Sequence, residues 1–262
     1  MVKKKLTEVV TSEDAKSKRW KSLFAAGRMA YETGELRQAE TLLARAMELA
    51  KDIPQKTFAI NATAIGTAAI LLAEKRSVEA ESRLRKSIAG LEGASERELK
   101  ELQAVALRFH AQALLDAGDE REAERELKRS LNILGELGAD ASVQMAYTLC
   151  DLSGLYIVLG RISEAGQNIF DALQILSVVV GTDSPEYTRA NMIYKLCLPT
   201  DSNTMLDTAG DGIMQMEYFY GDKHPNIARA LSRYLKILTE RGDTARIEEA
   251  KQRFRIPVAE KK

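Results

Sequence analysis

Cysteine, histidine and tryptophan are scarce in this chain of 262 residues, which holds two, two and one of them respectively. Cys150 and Cys197 are too few and too far apart for a disulfide framework or a zinc site, whose ligands come in close pairs. Both fall on helical stretches and read as buried, reduced thiols. With only His110 and His224, the groups that usually serve as acid, base or metal ligand are nearly missing. His110 falls in a core-facing slot and His224 at a helix start. No HExxH, GxSxG or CxxC string occurs, nor a phosphate-binding glycine loop, so no metal, cofactor or catalysis is expected.

Net charge is absent too. Lysines plus arginines number 38 and aspartates plus glutamates 38, which excludes bulk attraction to nucleic acid or an anionic membrane. The basic start, MVKKKLTEVV, lacks the unbroken apolar run of a signal peptide, and no stretch of about 18 apolar residues follows. A cytoplasmic protein is expected. Only five prolines and 6% aromatic residues suit long helices.

What the chain does have is a repeat. Gly27, Ala39 and Ala46 stand seven before, five after and twelve after Gly34. The same offsets return as Ala68, Ala80 and Ser87 about Lys75, as Ala111, Ala123 and Ser130 about Gly118, and as Ser153, Ala165 and Ala172 about Gly160. The turn residues lie 41, 43 and 42 apart, and Gly242 follows 82 later, two more periods. A fixed period of this length marks a stacked array of supersecondary units. In the first unit Leu23, Ala26, Gly27, Ala30 and Tyr31 form one helical stripe, and Leu36, Ala39, Leu43 and Ala46 a second. Two amphipathic helices thus meet across a short turn, and small residues at their crossing let the axes come close.

The pattern predicts helices over 20–33 and 36–50, 55–74 and 77–91, 96–117 and 120–137, 141–159 and 162–180, 184–198 and 203–220, and 224–241 and 244–255. Ser95 with Glu98, and Asp119 with Glu122, have capping spacing. Ser184 before Pro185 and His224 before Pro225 mark two further starts, with Gly181 and Gly221 as helix stops. Residues 1–19 read as a charged lead-in, 20–255 as the array and 256–262 as a tail. In the fifth unit the small positions become Tyr194, Leu206 and Ile213, and in the sixth Leu235, Ile247 and Phe254. Around Gly210 and Gly212, Met214, Tyr218 and Phe219 read as the core of a kinked helix, or alternatively as an exposed docking or homodimer surface.

Small residues at these offsets around a turn glycine resemble tetratricopeptide repeats, and the linkers GTDSPEYTRA and GDKHPNIARAL resemble those of the long, kinesin-light-chain-like class. HEAT and armadillo arrays share the period but not these offsets. The resemblance implies an all-α, right-handed superhelical solenoid of about six antiparallel hairpins, with first helices lining a concave groove. Its groove positions carry over to Lys21, Phe24, Arg28 and Tyr31, to Arg108, Phe109 and Gln112, to Tyr147 and Asp151, and to Asn191, Lys195, Arg229, Arg233 and Lys236. The second unit supplies Ala62, Ile65, Gly66, Ala69 and Leu72, an apolar floor. The set departs from the chaperone-type carboxylate clamp, since Asp151 stands where an asparagine belongs. The expected function is a non-catalytic scaffold or adaptor that holds a partner peptide or helix between cationic and aromatic anchors. The alternative is a sensor that binds a small signalling peptide or metabolite and changes its assembly state.

Overall fold

The computed structural model describes residues 2–138, 142–197, 210, 213–214 and 225–254, and for 2–13, 142, 225–230 and 233 the backbone alone. All regular elements among the described residues are helices. These are α1 (Val2–Glu32), α2 (Leu36–Ala50), α3 (Lys56–Ala73), α4 (Ser77–Leu91), α5 (Arg97–Ala117), α6 (Glu120–Leu137), α7 (Ser142–Val158), α8 (Ile162–Val179), α9 (Pro185–Cys197), α10 (Pro225–Glu240) and α11 (Thr244–Arg253). Apart from α1, each lies within two residues of its predicted span. α1 runs back without a break to Val2. The helix expected at 203–220, with Leu206, Gly212, Tyr218, Phe219, Gly221 and His224, lies largely outside the described residues, as does the tail.

Successive helices pair as hairpins, α1 with α2, α3 with α4, α5 with α6 and α7 with α8. The five turns share one geometry. Gly34, Lys75, Gly118, Gly160 and Gly242 all have positive φ, between 63° and 83°. In each, the next amide reaches back five residues to a carbonyl, as Glu35 N to Ala30 O (2.8 Å) and Arg76 N to Leu71 O (2.8 Å), so the helix end is closed and the chain reversed. Lys75, at φ 63°, is the one non-glycine residue in this conformation among the described residues. Asp119 accepts from Glu122 N (3.1 Å) and Ser184 from Tyr187 N (3.2 Å), as their spacing predicts. Ser95 does not cap α5, because extended Glu96 occupies the cap position and the chain enters the helix one residue later.

All twelve small residues of the first four units are buried. Gly27 shows why size matters there, since a β-carbon on it would sit 2.8 Å from Leu43 Cδ2. Units then join through shared apolar clusters. Trp20 packs with Ala46, Ile53, Ala59 and Ala62, stacks on Phe24 at 5.3 Å and donates its indole N–H to Thr63 Oγ1 (3.1 Å). Ser130 Oγ donates to Ala104 O at 2.9 Å and lies 3.4 Å from Thr148 Oγ1, linking the third unit to the fourth. A core that passes from unit to unit in this way is that of a solenoid. α3 is long and apolar enough to cross a membrane, yet just over half of it is buried, between α1, α2, α4 and α5.

The last hairpin packs differently. Ile213, Tyr234, Leu238 and Ala250 form its core, with Leu235, Ile247 and Phe254 partly buried where small residues stand in earlier units. Met214, expected in the core, is 38% exposed. α10 also comes back into contact with α3.

Candidate binding groove

First helices α1, α3, α5, α7 and α9 succeed one another along one face of the array, and their inward residues enclose a groove of about 600 Å³. Its floor is apolar, made by Leu43, Phe58, Ala62, Ile65, Gly66, Ala69, Leu102 and Val105. Phe24, Arg28, Tyr31, Arg108, Phe109, Tyr147 and Asp151 also line it, so these carried-over positions come together.

The polar centre is built on Asp151. Its carboxylate accepts from Arg108 Nη1 at 3.1 Å and from Arg189 Nη2 at 3.2 Å, joining α5, α7 and α9. Both members of the Arg108–Asp151 pair are mostly buried, with 14% and 15% of their side chains exposed. The Arg108 guanidinium lies 4.5 Å from the centre of the Phe109 ring and 5.7 Å from that of Tyr147, two cation–π contacts. Tyr147 in turn donates to Glu186 Oε1 at 3.5 Å. Burial and the Glu186 charge push its phenol pKa up. Cys150, beneath this cluster, is raised to about 12 by burial, and half-buried Cys197 to about 11, so neither thiol is a ready nucleophile.

The structure corrects the expectation of cationic anchors. Arg108 is tied to Asp151, and Arg28 lies 3.6 Å from Glu32, so neither is a bare charge waiting for a ligand. Among the described residues the lining holds five carboxylates, Glu32, Glu98, Glu101, Asp151 and Glu186, against three guanidinium groups, Arg28, Arg108 and Arg189. Gln112 is not on this lining. It is buried between helices, with Nε2 at 3.4 Å from Asp116 Oδ1, while Asp116 Oδ2 accepts from Ser77 of the preceding hairpin. Asn191, Lys195 and Lys236 are not on the lining either, and exposed Lys236 lies 3.9 Å from Glu240 on its own helix. The side chains of Arg229 and Arg233 lie outside the described residues.

Sequence reasoning missed Glu98, Glu101, Gln144, Glu186 and Arg189. The first four sit before the point at which a shorter repeat begins its first helix, and a period near 42 adds about two turns there. That added length was the available signal.

Away from the groove, His110 sits between α5 and α6 with Nδ1 3.6 Å from Glu126 Oε2, and both are buried. Burial raises the Glu126 carboxyl, but His110 and Arg129 outweigh it and leave the pKa lowered. Among the described residues no three His, Cys, Asp or Glu side chains gather to hold a metal ion.

No known protein-family model matches this chain, and no curated protein matches its sequence. Solved structures do match its backbone. Aspartyl phosphate phosphatase F from Bacillus subtilis superposes with a TM-score of 0.72 at 12% identity, over 92% of this chain and 61% of that protein. A Rap protein complexed with Competence and Sporulation Factor gives 0.69 at 14% identity, over 97% and 73%. A kinesin light chain from P. anserina with nearly identical TPR-like repeats gives 0.51 at 14%, over 86% and 97%. The fold is that of a TPR-like helical-repeat protein. This TPR-like chain spans about 61% of the phosphatase's length, and at these identities the likeness is one of fold.

Proposed function

We propose that this TPR-like chain is a non-catalytic cytoplasmic scaffold that holds a segment of a partner protein in its concave groove. The observation that carries the proposal is the groove itself, an apolar floor of small residues beside an ordered cluster of Arg108, Phe109, Tyr147 and Asp151. Cluster residues held by one another present a rigid surface, which lowers the entropy cost of binding. Aromatic and arginine side chains in such a setting are the usual hot-spot residues. A likeness of fold to a Rap protein complexed with Competence and Sporulation Factor supports a protein or peptide as occupant.

Filling the groove tests this. Val105→Trp places a large ring over the floor, and affinity capture with the variant beside the parent chain is expected to lose the parent's specific partners. Unchanged recovery with a folded variant overturns the groove as the binding site.

A second reading, a sensor that closes on a small peptide or metabolite, draws on the contact between α10 and α3, which brings a late helix onto the floor-forming one. A small-molecule fraction of cell extract should then raise the melting temperature or change the oligomer size, and no shift argues against sensing.

A further inference from the structure

We infer that the groove's occupant is a cationic, amphipathic protein segment, its lysine or arginine side chains set against Glu98 and Glu101 and its apolar side chains on the α3 floor. The inference rests on the scaffold reading and adds the chemistry of the partner.

Charge comes first. Among the described residues of the lining, Arg108 and Arg189 share the Asp151 carboxylate and Arg28 lies 3.6 Å from Glu32, so each cation has a carboxylate beside it and the carboxylates outnumber the cations by five to three. Glu98 and Glu101 have no cationic partner among the described residues. They stand three apart on α5, where helix geometry puts like charges side by side and makes them mutually unfavourable. The helix dipole accounts for Glu98 in the first turn, but it fades before Glu101. A carboxylate pair at the mouth of a groove therefore gains most from a cation supplied by something else.

Hydrogen bonding points the same way. Gln144, on the neighbouring helix α7 and also on the lining, has a buried side-chain oxygen with no donor among the described residues. A buried acceptor without a donor is costly and asks for an N–H. Among the described residues, the one buried donor of the lining left over is Arg108 Nε, whose guanidinium lies over the Phe109 ring. A donor from the occupant satisfies Gln144, and the carboxylate excess among the described lining residues favours a cationic one.

Shape supplies the apolar half of the description. Ala62, Gly66 and Ala69 follow one face of α3 between the bulkier Phe58 and Leu102, and they leave a shallow trough able to take aliphatic side chains. A uniformly polar basic tail would leave this trough wet.

Selection of random peptides displayed on phage against the full-length chain, followed by fluorescence anisotropy of the enriched sequences, tests the inference. Enriched peptides should carry net positive charge together with apolar residues, and their affinity should fall with added salt. The double variant Glu98→Lys, Glu101→Lys lies on the rim, leaves the core alone and should lose at least about tenfold in affinity for them. Enrichment of acidic or uncharged peptides, no enrichment at all, or affinity within about twofold of the parent in the double variant overturns the inference. Val105→Trp separates the two levels. If it abolishes binding while the double variant binds normally, the groove stands and the cation is wrong. If the peptides bind Val105→Trp as well as the parent, the groove reading itself fails. Tyr31→Ala, which removes one wall, serves in its place where circular dichroism shows that Val105→Trp does not fold.

Discussion

At the scale of single residues, three positions decide measurable properties. Asp151 accepts from two arginines that are themselves mostly out of water, so Asp151→Asn should cost about 2–4 kcal/mol in urea unfolding, as expected for breaking a largely buried ion pair. Glu124 is a second case. Burial pushes its carboxyl up, but hydrogen bonds from Lys128, Tyr156 and Arg161 more than offset that and hold its pKa at about 2, below the usual 4.5. A carboxyl whose pKa is lowered on folding stabilises the fold above its unfolded value, and that contribution is lost as pH falls from about 4.5 towards 2. Glu124→Gln should therefore be less stable than the parent by about 1–2 kcal/mol at neutral pH, with the gap closing in acid. Lys75 is the third. It holds the turn conformation that glycine holds in the other four turns, a strain of about 1–2 kcal/mol for a residue with a β-carbon. Lys75→Gly should raise the melting temperature, by an amount reduced through glycine's greater freedom in the unfolded chain.

At the scale of helices, the hairpin crossing is the feature most plainly written in the sequence. Ala39, Ala80, Ala123 and Ala165 are all 0% exposed, and each occupies the place its offset from the turn assigns. Leucine at Ala123 should overpack the α5–α6 crossing and cost about 1–3 kcal/mol, read by thermal or denaturant unfolding. Offsets were legible because they are dictated by contact between two neighbouring helices. The polar centre of the groove was not. Arg108 and Asp151 were singled out, but their mutual pairing depends on the angle between the third and fourth units, and no local pattern encodes that angle. Gln112 is a related case, since it is buried beside Asp116 and stands off the lining. Ser95 failed as a cap because the chain stays extended through Glu96 and enters α5 at Arg97.

At the scale of the molecule, stability in a stacked array is close to a sum of units and the interfaces between them. Trp20 closes the first interface through Phe24, Phe58 and Thr63. Trp20→Ala should remove about 3–5 kcal/mol there, and hydrogen exchange should show α1 to α3 loosening while α7 and α8 keep their protection. The Asp151 bridge sets a different condition, because its two arginines come from the units on either side of its own. It works as a latch with two tongues: one carboxylate, with an arginine of a neighbouring unit on each oxygen, fastens three successive first helices, so cutting it slackens two seams at once.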